Sequence, residues 1–100
     1  MTVVNIQPRT RPLTAMRVLL HVTTRPQIMA FCPRANVGVS TRLQDGVWVD
    51  DNLDIRWVAV PHNGDLWDRL ENDGDWIVKV AEDNWIIVSD TDFHREYVIA

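Results

Sequence analysis

The sequence is poor in cysteine and long apolar runs, and each shortage excludes a class of protein. Cys32 is the only cysteine among 100 residues, so the chain forms no internal disulfide. No apolar run approaches the roughly 20 residues of a membrane-spanning helix. Residues 1–12 mix polar residues, proline and arginine, and they lack the apolar segment of a signal peptide. We therefore expect a cytoplasmic protein that does not enter a membrane.

The motifs of common catalytic and metal sites are also missing. His21, His62 and His94 are scattered, which does not match the ligand spacing of a zinc site. The glycines are isolated, so the sequence contains no glycine-rich phosphate loop. Neither serine lies in a Gly-x-Ser-x-Gly elbow, and carboxylate pairs among fourteen acids arise by chance. We predict a protein that binds without catalysis and needs no cofactor or metal.

Charge is divided unevenly along the chain. Residues 1–44 hold six arginines and no acid, whereas residues 45–100 hold fourteen acids and four basic residues. Such asymmetry can give a basic face for phosphates or an acidic face that imitates nucleic acid. We favour the simpler interpretation, in which the two halves interleave in space and neutralise each other. Because the isoelectric point is near 5.1, we do not expect long nucleic acid as a partner.

Periodicity and turn residues predict an extended N-terminal arm over residues 1–12 and a single α+β domain over residues 13–100. We predict a first strand at 13–22 and a helix at 25–31, because Thr23-Thr24-Arg25-Pro26 offers a threonine cap with proline early in the first turn. Short strands are predicted at 36–40, 47–49 and 55–60, with turns at 45–46 and 50–52. Residues 66–70 fit a strand or one helical turn. Residues 76–80 and 85–88 predict a hairpin, followed by a helix that Ser89 or Asp90 caps. The expected fold is one small, mainly antiparallel sheet with a helix after its first strand and a short C-terminal helix.

Two local features refine this prediction. Val3, Val4 and Ile6 are apolar and β-prone, so the arm is able to pair as a strand. Cys32 lies in an apolar stretch at the predicted end of the first helix, where a free cysteine usually behaves as a buried hydrophobic residue.

Residues 74–97 combine Gly74-Asp75-Trp76-Ile77, a polar turn, a strand, and a helix that carries Asp92-Phe93 and Tyr97. This combination resembles a group of small tailed-phage and prophage proteins. The stretches 12–18 and 57–61 are similar to the opening and middle strands of that group, and 29–32 to its first helix. Asp73 stands where the group has proline, and the chain lacks the group's acidic ending. The group has no general function to transfer, so the resemblance implies only a phage or prophage origin and expression in a bacterial host.

The tryptophans are candidates for core or contact positions. Trp57, Trp76 and Trp85 lie in apolar strands, so we predict that they are buried. Trp48 and Trp67 lie beside turns and acids, and exposed tryptophan is typical of binding hot spots. We therefore predict that the protein binds and inhibits a host protein of the bacterial defence or housekeeping machinery. The predicted contact residues are Trp48, Trp67, Asp50, Asp51 and Asp68.

Four arginines suggest an alternative from another functional class. Arg17, Arg25, Arg34 and Arg42 are interleaved with apolar residues, and guanidinium groups bind phosphate in a bidentate manner. They are able to hold a small nucleotide, in which case the protein would sequester a nucleotide signal of host immunity, within a symmetric homo-oligomer. Arginines that are solvated, or paired with the C-terminal acids, are the simpler interpretation.

Overall fold

The computed structural model describes residues 3–7, 13–62 and 66–99. These residues form two antiparallel sheets and two short helices, so the predicted α+β class is confirmed. Sheet A has the strand order β7-β6-β2-β1-β8 and sheet B has the order β3-β4-β5. The elements are β1 (Val3–Gln7), β2 (Leu13–Arg17), α1 (Arg25–Phe31), β3 (Asn36–Gln44), β4 (Val47–His62), β5 (Leu66–Arg69), β6 (Trp76–Ala81), β7 (Asn84–Val88), α2 (Asp90–Glu96) and β8 (Val98–Ile99).

The predicted position of the first helix was wrong, because α1 follows the second strand and not the first. Residues 3–7 of the N-terminal arm form β1, which pairs with β2 from Val3 opposite Met16 to Ile6 opposite Leu13. Ile6 is fully buried, so this segment contributes to the core as well as to the sheet. Residues 1–2 and 8–12 of the arm lie outside the described residues.

Sheet A is the middle layer of three. On one face, α2 packs on a cluster that includes Ala15, Trp76, Val78 and Phe93. The rings of Trp76 and Phe93 stack with their centroids 3.7 Å apart. The opposite face meets α1 and sheet B, through residues that include Met16, Ile28, Cys32, Ile55, Val58, Ile77 and Trp85. Because sheet A is covered on both faces, β6 is apolar at every position except Lys79.

The local signals for both helices are confirmed. The Thr24 hydroxyl accepts a hydrogen bond from the Gln27 N–H, and the Gln27 side chain accepts one from the Thr24 N–H. This reciprocal capping box stabilises a helix of only seven residues. Ser89 caps α2 by accepting a hydrogen bond from the Asp92 N–H. Cys32 is fully buried at the end of α1, and burial raises the pKa of its thiol to about 11.

Three predicted strand boundaries were wrong. β2 ends at Arg17. The Thr23 hydroxyl accepts a hydrogen bond from the Leu19 N–H, and this bond closes a turn between β2 and α1. β3 continues to Gln44, four residues beyond the prediction. The predicted turn at 50–52 does not reverse the chain, since β4 runs without interruption from Val47 to His62. The predicted hairpin of β6 and β7 is confirmed, and residues 66–69 form a strand.

Candidate protein-binding surface

The outer half of the β3–β4 pair projects beyond the core. We call residues 40–51 the distal hairpin. The last cross-strand pair that contacts the core is Val39 with Ile55. Beyond it, residues 41–48 are all exposed. The hairpin closes at Asp45 and Gly46, which both have the positive φ that a two-residue hairpin turn requires. This projection is consistent with the elongated shape of the molecule, which measures 53 × 26 × 20 Å.

An irregularity separates the distal hairpin from the core. Ser40 pairs with Asp51 and Val39 pairs with Ile55, so residues 52–54 of β4 have no opposite residue in β3. The Asp51 carboxylate accepts the Leu53 N–H at 3.2 Å, and the Ser40 hydroxyl donates to the Asp54 carboxylate. The acids that favoured a turn therefore form a bulge, in which β4 bends without leaving the sheet.

An ion pair joins the distal hairpin to the start of α1. The guanidinium group of Arg25 lies 2.9 Å from the carboxylate of Asp50. Both side chains are partly exposed, and such pairs contribute about 0–1 kcal/mol to stability. The main consequence is geometric, because the pair ties the base of the hairpin to the side on which α1 lies.

The most exposed apolar side chains of the hairpin are at its tip. Val37 and Val39 face the core, so Leu43 lies on the same face of β3 at the strand period of two. Trp48 is directly opposite Leu43 in β4. Leu43 is 60% exposed, Val47 61% and Trp48 68%. We call Leu43 and Trp48 the apolar tip; it extends the core-facing side of sheet B into solvent.

Trp67 is exposed as predicted, but it is far from Trp48. Trp67 is in β5, where it pairs with Pro61 near the other end of β4. Thirteen residues separate Trp48 from Pro61 along the same strand, which corresponds to roughly 40 Å. The two predicted contact residues therefore belong to different ends of sheet B and do not form one site.

Trp57 was predicted to be buried, and this prediction was wrong. Its side chain is 43% exposed and lies against Gly38, and its indole N–H donates to the Asn36 side-chain oxygen at 3.2 Å. Arg56 is an extra residue between the pairs formed by Trp57 and Ile55. This bulge lets Ile55 and Val58 both face the core, so Trp57 lies on the outer face of sheet B.

Asp68, another predicted contact residue, is used inside the fold. One of its carboxylate oxygens accepts the Ile87 N–H at 3.2 Å, and it lies 3.2 Å from the His62 ring nitrogen Nδ1. Asp68 thus joins β5 of sheet B to β7 of sheet A. A carboxylate with these partners has less capacity to bind another molecule.

The four arginines of the nucleotide hypothesis do not converge. Arg17 lies on the α2 side of sheet A, where its Nε donates to the Gly74 carbonyl at 3.1 Å and its guanidinium group lies 3.5 Å from Asp90. Arg25 is on the opposite side, at α1. Arg34 and Arg42 are exposed and have no ion pair with a carboxylate in the described part of the chain. The pairs of Arg17 and Arg25 join the basic and acidic halves of the sequence, as the interleaved interpretation expects.

A second group of polar side chains surrounds the start of α2. The Asp90 carboxylate accepts the Trp76 indole N–H at 2.8 Å and lies 3.1 Å from the His94 ring nitrogen Nε2. The hydrogen bond from Trp76 is the largest cause that lowers the pKa of Asp90, and the charge of Arg17 adds to it. These contacts fix α2 on sheet A. Asp90 is held as an anion that anchors the helix.

No protein-family model, curated protein or solved structure matches this chain. The resemblance to small phage proteins therefore rests on the motifs quoted above. Among the described residues, no three His, Cys, Asp or Glu side chains form a group that could hold a metal ion. No helix within the same residues is long and apolar enough to cross a membrane.

The sequence reasoning missed Leu43 and Val47 as exposed apolar residues. The available signal was Leu43, the one apolar residue among Ser40, Thr41, Arg42 and Gln44, which lies at the strand period of two from Val37 and Val39 and ahead of the Asp45-Gly46 turn. That pattern, continued from Val37 and Val39, predicts a longer β3 and places Leu43 opposite Trp48.

Proposed function

We propose that this chain is a non-catalytic, phage-encoded protein that attaches to a host bacterial protein through the apolar tip of its distal hairpin and blocks that protein's activity. The observation that carries this proposal is the position of Leu43 and Trp48. They form an apolar cross-strand pair on a hairpin that projects beyond the core.

The apolar tip adds little to the stability of the chain that carries it. A two-stranded hairpin is at best marginally stable in water, and Trp48 leaves most of its surface in solvent. Burial of a tryptophan side chain removes about 150–250 Å² from water, which makes it a strong anchor for a partner. Projection on a hairpin allows the ring to enter a concave site. The partner that fits this tip is a protein whose surface has an apolar pocket as wide as an indole ring.

The charges beside the tip favour a partner with a basic rim. Asp50 is neutralised by Arg25, and Asp51 at the hairpin base is offset by the exposed Arg42, so Asp45 at the turn remains as the unbalanced charge. The chain has a formal net charge of −4. Complementary charge increases the association rate and selects among partners more than it raises affinity. A basic rim around an apolar pocket is therefore the expected target surface.

The geometry of the apolar tip supports only the binding surface, so the proposed phage origin and inhibitory role are argued from the sequence. The resemblance of residues 74–97 to small phage proteins supports the origin. The small size and the lack of catalytic motifs support action by occupancy of a site on another protein. We place the target among host defence or housekeeping proteins for that reason.

The test is capture of a partner from bacterial lysate with the intact protein and two single variants. Trp48→Ala removes the tip anchor, whereas Trp67→Ala removes an equally large exposed side chain about 40 Å away along the sheet. We expect one stoichiometric host protein to bind the unchanged chain and Trp67→Ala. Trp48→Ala should weaken that binding by about 30-fold, which corresponds to a hot-spot loss of about 2 kcal/mol.

Stability is the control for this comparison. Both substitutions are at exposed positions, so each should change the free energy of unfolding by no more than about 0.5 kcal/mol. Equal binding by Trp48→Ala and the unchanged chain would contradict the proposed site. If no partner is captured and the heated protein releases a nucleotide instead, the sequestration alternative through the arginines would replace this proposal.

A further inference from the structure

β3 is a long edge strand without the usual protection against pairing. It spans nine residues, and among the described strands it pairs only with β4. It contains neither lysine nor proline, which natural proteins use to protect edges. The extra residues of both bulges are in β4, so β3 itself is regular. Such an edge is suited to accept another strand.

Antiparallel pairing of β3 with a second β3 has one register that uses the whole strand. The strand runs from Asn36 to Gln44, so its centre is Ser40. A two-fold axis perpendicular to the sheet at Ser40 places residues 36 and 44 opposite each other. Because the side-chain period of a strand is two, this operation keeps core-facing residues on one face and outward residues on the other.

We propose that two copies of this chain form a symmetric dimer in which their β3 strands pair about Ser40, joining the two B sheets into one six-stranded sheet. The dimer covers Leu43 of the apolar tip, whereas Trp48 lies in β4, one strand away from the new contact, and stays available to a host protein.

The core-facing side of this dimer is apolar. Leu43 lies opposite Val37 of the second copy, and Thr41 lies opposite Val39 of the second copy. Val37 and Val39 already pack against the core, so the exposed Leu43 extends that core across the two-fold axis. By symmetry, each of these contacts occurs twice.

The outward side is complementary in shape and charge. Arg42 lies opposite Gly38 of the second copy, which has no side chain of its own and is covered by the half-exposed ring of Trp57. A guanidinium group at that position can stack on the tryptophan ring. The same register brings the end of β3 that precedes Asp45 next to the start of β3 of the second copy, which follows Arg34 closely. Both of these charged side chains are exposed.

This arrangement also avoids repulsion. Arg42 is the only charged residue of β3, and the antiparallel register separates the two Arg42 side chains by four residues along the strands. Like charges that face each other directly would oppose pairing. The register that uses the full strand is thus also one that places each cation beside a favourable neighbour.

A cysteine at the symmetry axis tests the register. In Ser40→Cys, the two new cysteines are directly opposite, with Cα atoms about 4.5–5.5 Å apart, which is within the range of about 4.4–6.8 Å that a disulfide bridges. Gln44→Cys is the matched control, because it lies on the same strand and the same face but about 25 Å from its symmetry mate. The native Cys32 is fully buried and does not compete. Under mild oxidation, we expect Ser40→Cys to form a covalent dimer at least 10-fold faster than Gln44→Cys.

Sedimentation equilibrium tests the dimer without a cross-link. The unchanged chain should approach twice the monomer mass as its concentration rises. Thr41→Lys and Arg42→Glu should each weaken dimerisation at least 10-fold. The matched controls Leu66→Lys and Arg69→Glu are on β5, the opposite edge of sheet B, and should leave it unchanged. A monomer at all concentrations, or equal cross-linking by both cysteine variants, would overturn the proposal. Since only purified protein is used, either result leaves the host-protein proposal untouched.

Discussion

Gly38→Ala is the substitution whose effect the structure determines most sharply. Gly38 in β3 is opposite Trp57 in β4, and the indole ring lies across the position that a side chain would occupy. A Cβ atom added to Gly38 would lie closer to three carbon atoms of that ring than real Cβ atoms come to any neighbour. The alanine methyl group and the ring therefore exclude each other, and the ring must leave the sheet surface.

The size of the destabilisation follows from the buried area that the Trp57 ring loses when it is displaced. Trp57 is somewhat more than half covered, so displacement exposes about 85–140 Å² of a side chain that buries 150–250 Å² when fully covered. At about 25 cal/mol per Å², this exposure costs roughly 3 kcal/mol as an upper bound. Alanine also reduces the conformational freedom of the unfolded chain, which offsets about 0.5–1 kcal/mol of this cost. Because a displaced ring keeps some contacts, we expect Gly38→Ala to lower the free energy of unfolding by about 1–2 kcal/mol.

Urea unfolding followed by circular dichroism measures this change. For a chain of this size, 1–2 kcal/mol corresponds to a fall of about 1 M in the midpoint urea concentration. The decisive control is the same substitution in a Trp57→Ala background, where the ring is absent and Gly38→Ala should be neutral or slightly stabilising. An equal loss in both backgrounds, or no loss in the unchanged chain, would refute the reasoning. All samples should be measured at one low protein concentration, since self-association adds to apparent stability.

Three further predictions follow from polar and buried groups. Asp68→Ala should destabilise the fold by about 1–2 kcal/mol in urea unfolding, because the Ile87 N–H loses its acceptor. Asp90→Asn should be less stable than the unchanged chain at pH 7, because the Trp76 indole N–H stabilises the anionic carboxylate and lowers its pKa. Since a lowered pKa stabilises the fold only while the carboxylate is charged, this difference should begin to shrink as the pH falls below about 4 and vanish as the pH falls through the lowered pKa of the folded chain. The Cys32 thiol, buried and with a pKa of about 11, should react with a disulfide reagent at pH 8 at least about 100-fold more slowly in the folded chain than in urea.

Each of these predictions has a specific control. Asp68→Asn keeps an acceptor and should cost less than Asp68→Ala, so equal losses would argue against the hydrogen bond to Ile87. A stability difference between Asp90→Asn and the unchanged chain that stays constant as the pH is lowered from 7 to about 2.5 would exclude the charge as its cause. Rapid reaction of Cys32 under native conditions would mean that the end of α1 opens readily.

The elements that could be predicted from the sequence are those formed by interactions between residues close together along the chain. The β6–β7 hairpin has two apolar runs and a short polar turn, and α2 has Ser89 before acids in its first turn. Thr24 and Pro26 similarly predicted α1. In each case the interacting groups are at most a few residues apart, so a short stretch of sequence contains all the residues that determine the element.

The errors arose where two distant segments had to be matched. Asp50, Asp51 and Asn52 are of the residue types that favour a turn. However, β4 pairs with β3 both before and after this segment, so β4 stays in the sheet and the segment forms a bulge. The extra Arg56 moved Trp57 to the surface in the same way. No single stretch of sequence specifies which residue of β4 is left without an opposite residue in β3.

The sequence alone therefore determined the α+β class, both helices, the C-terminal hairpin, the burial of Cys32 and the exposure of Trp48 and Trp67. Each depends on local capping, turn chemistry or hydrophobic pattern. Only the tertiary structure decided that residues 3–7 complete sheet A, that Trp48 and Trp67 are at opposite ends of sheet B, and that Asp68 is used inside the fold. These features depend on strand register and on the packing of one sheet against the other, where contacts join residues far apart in the chain.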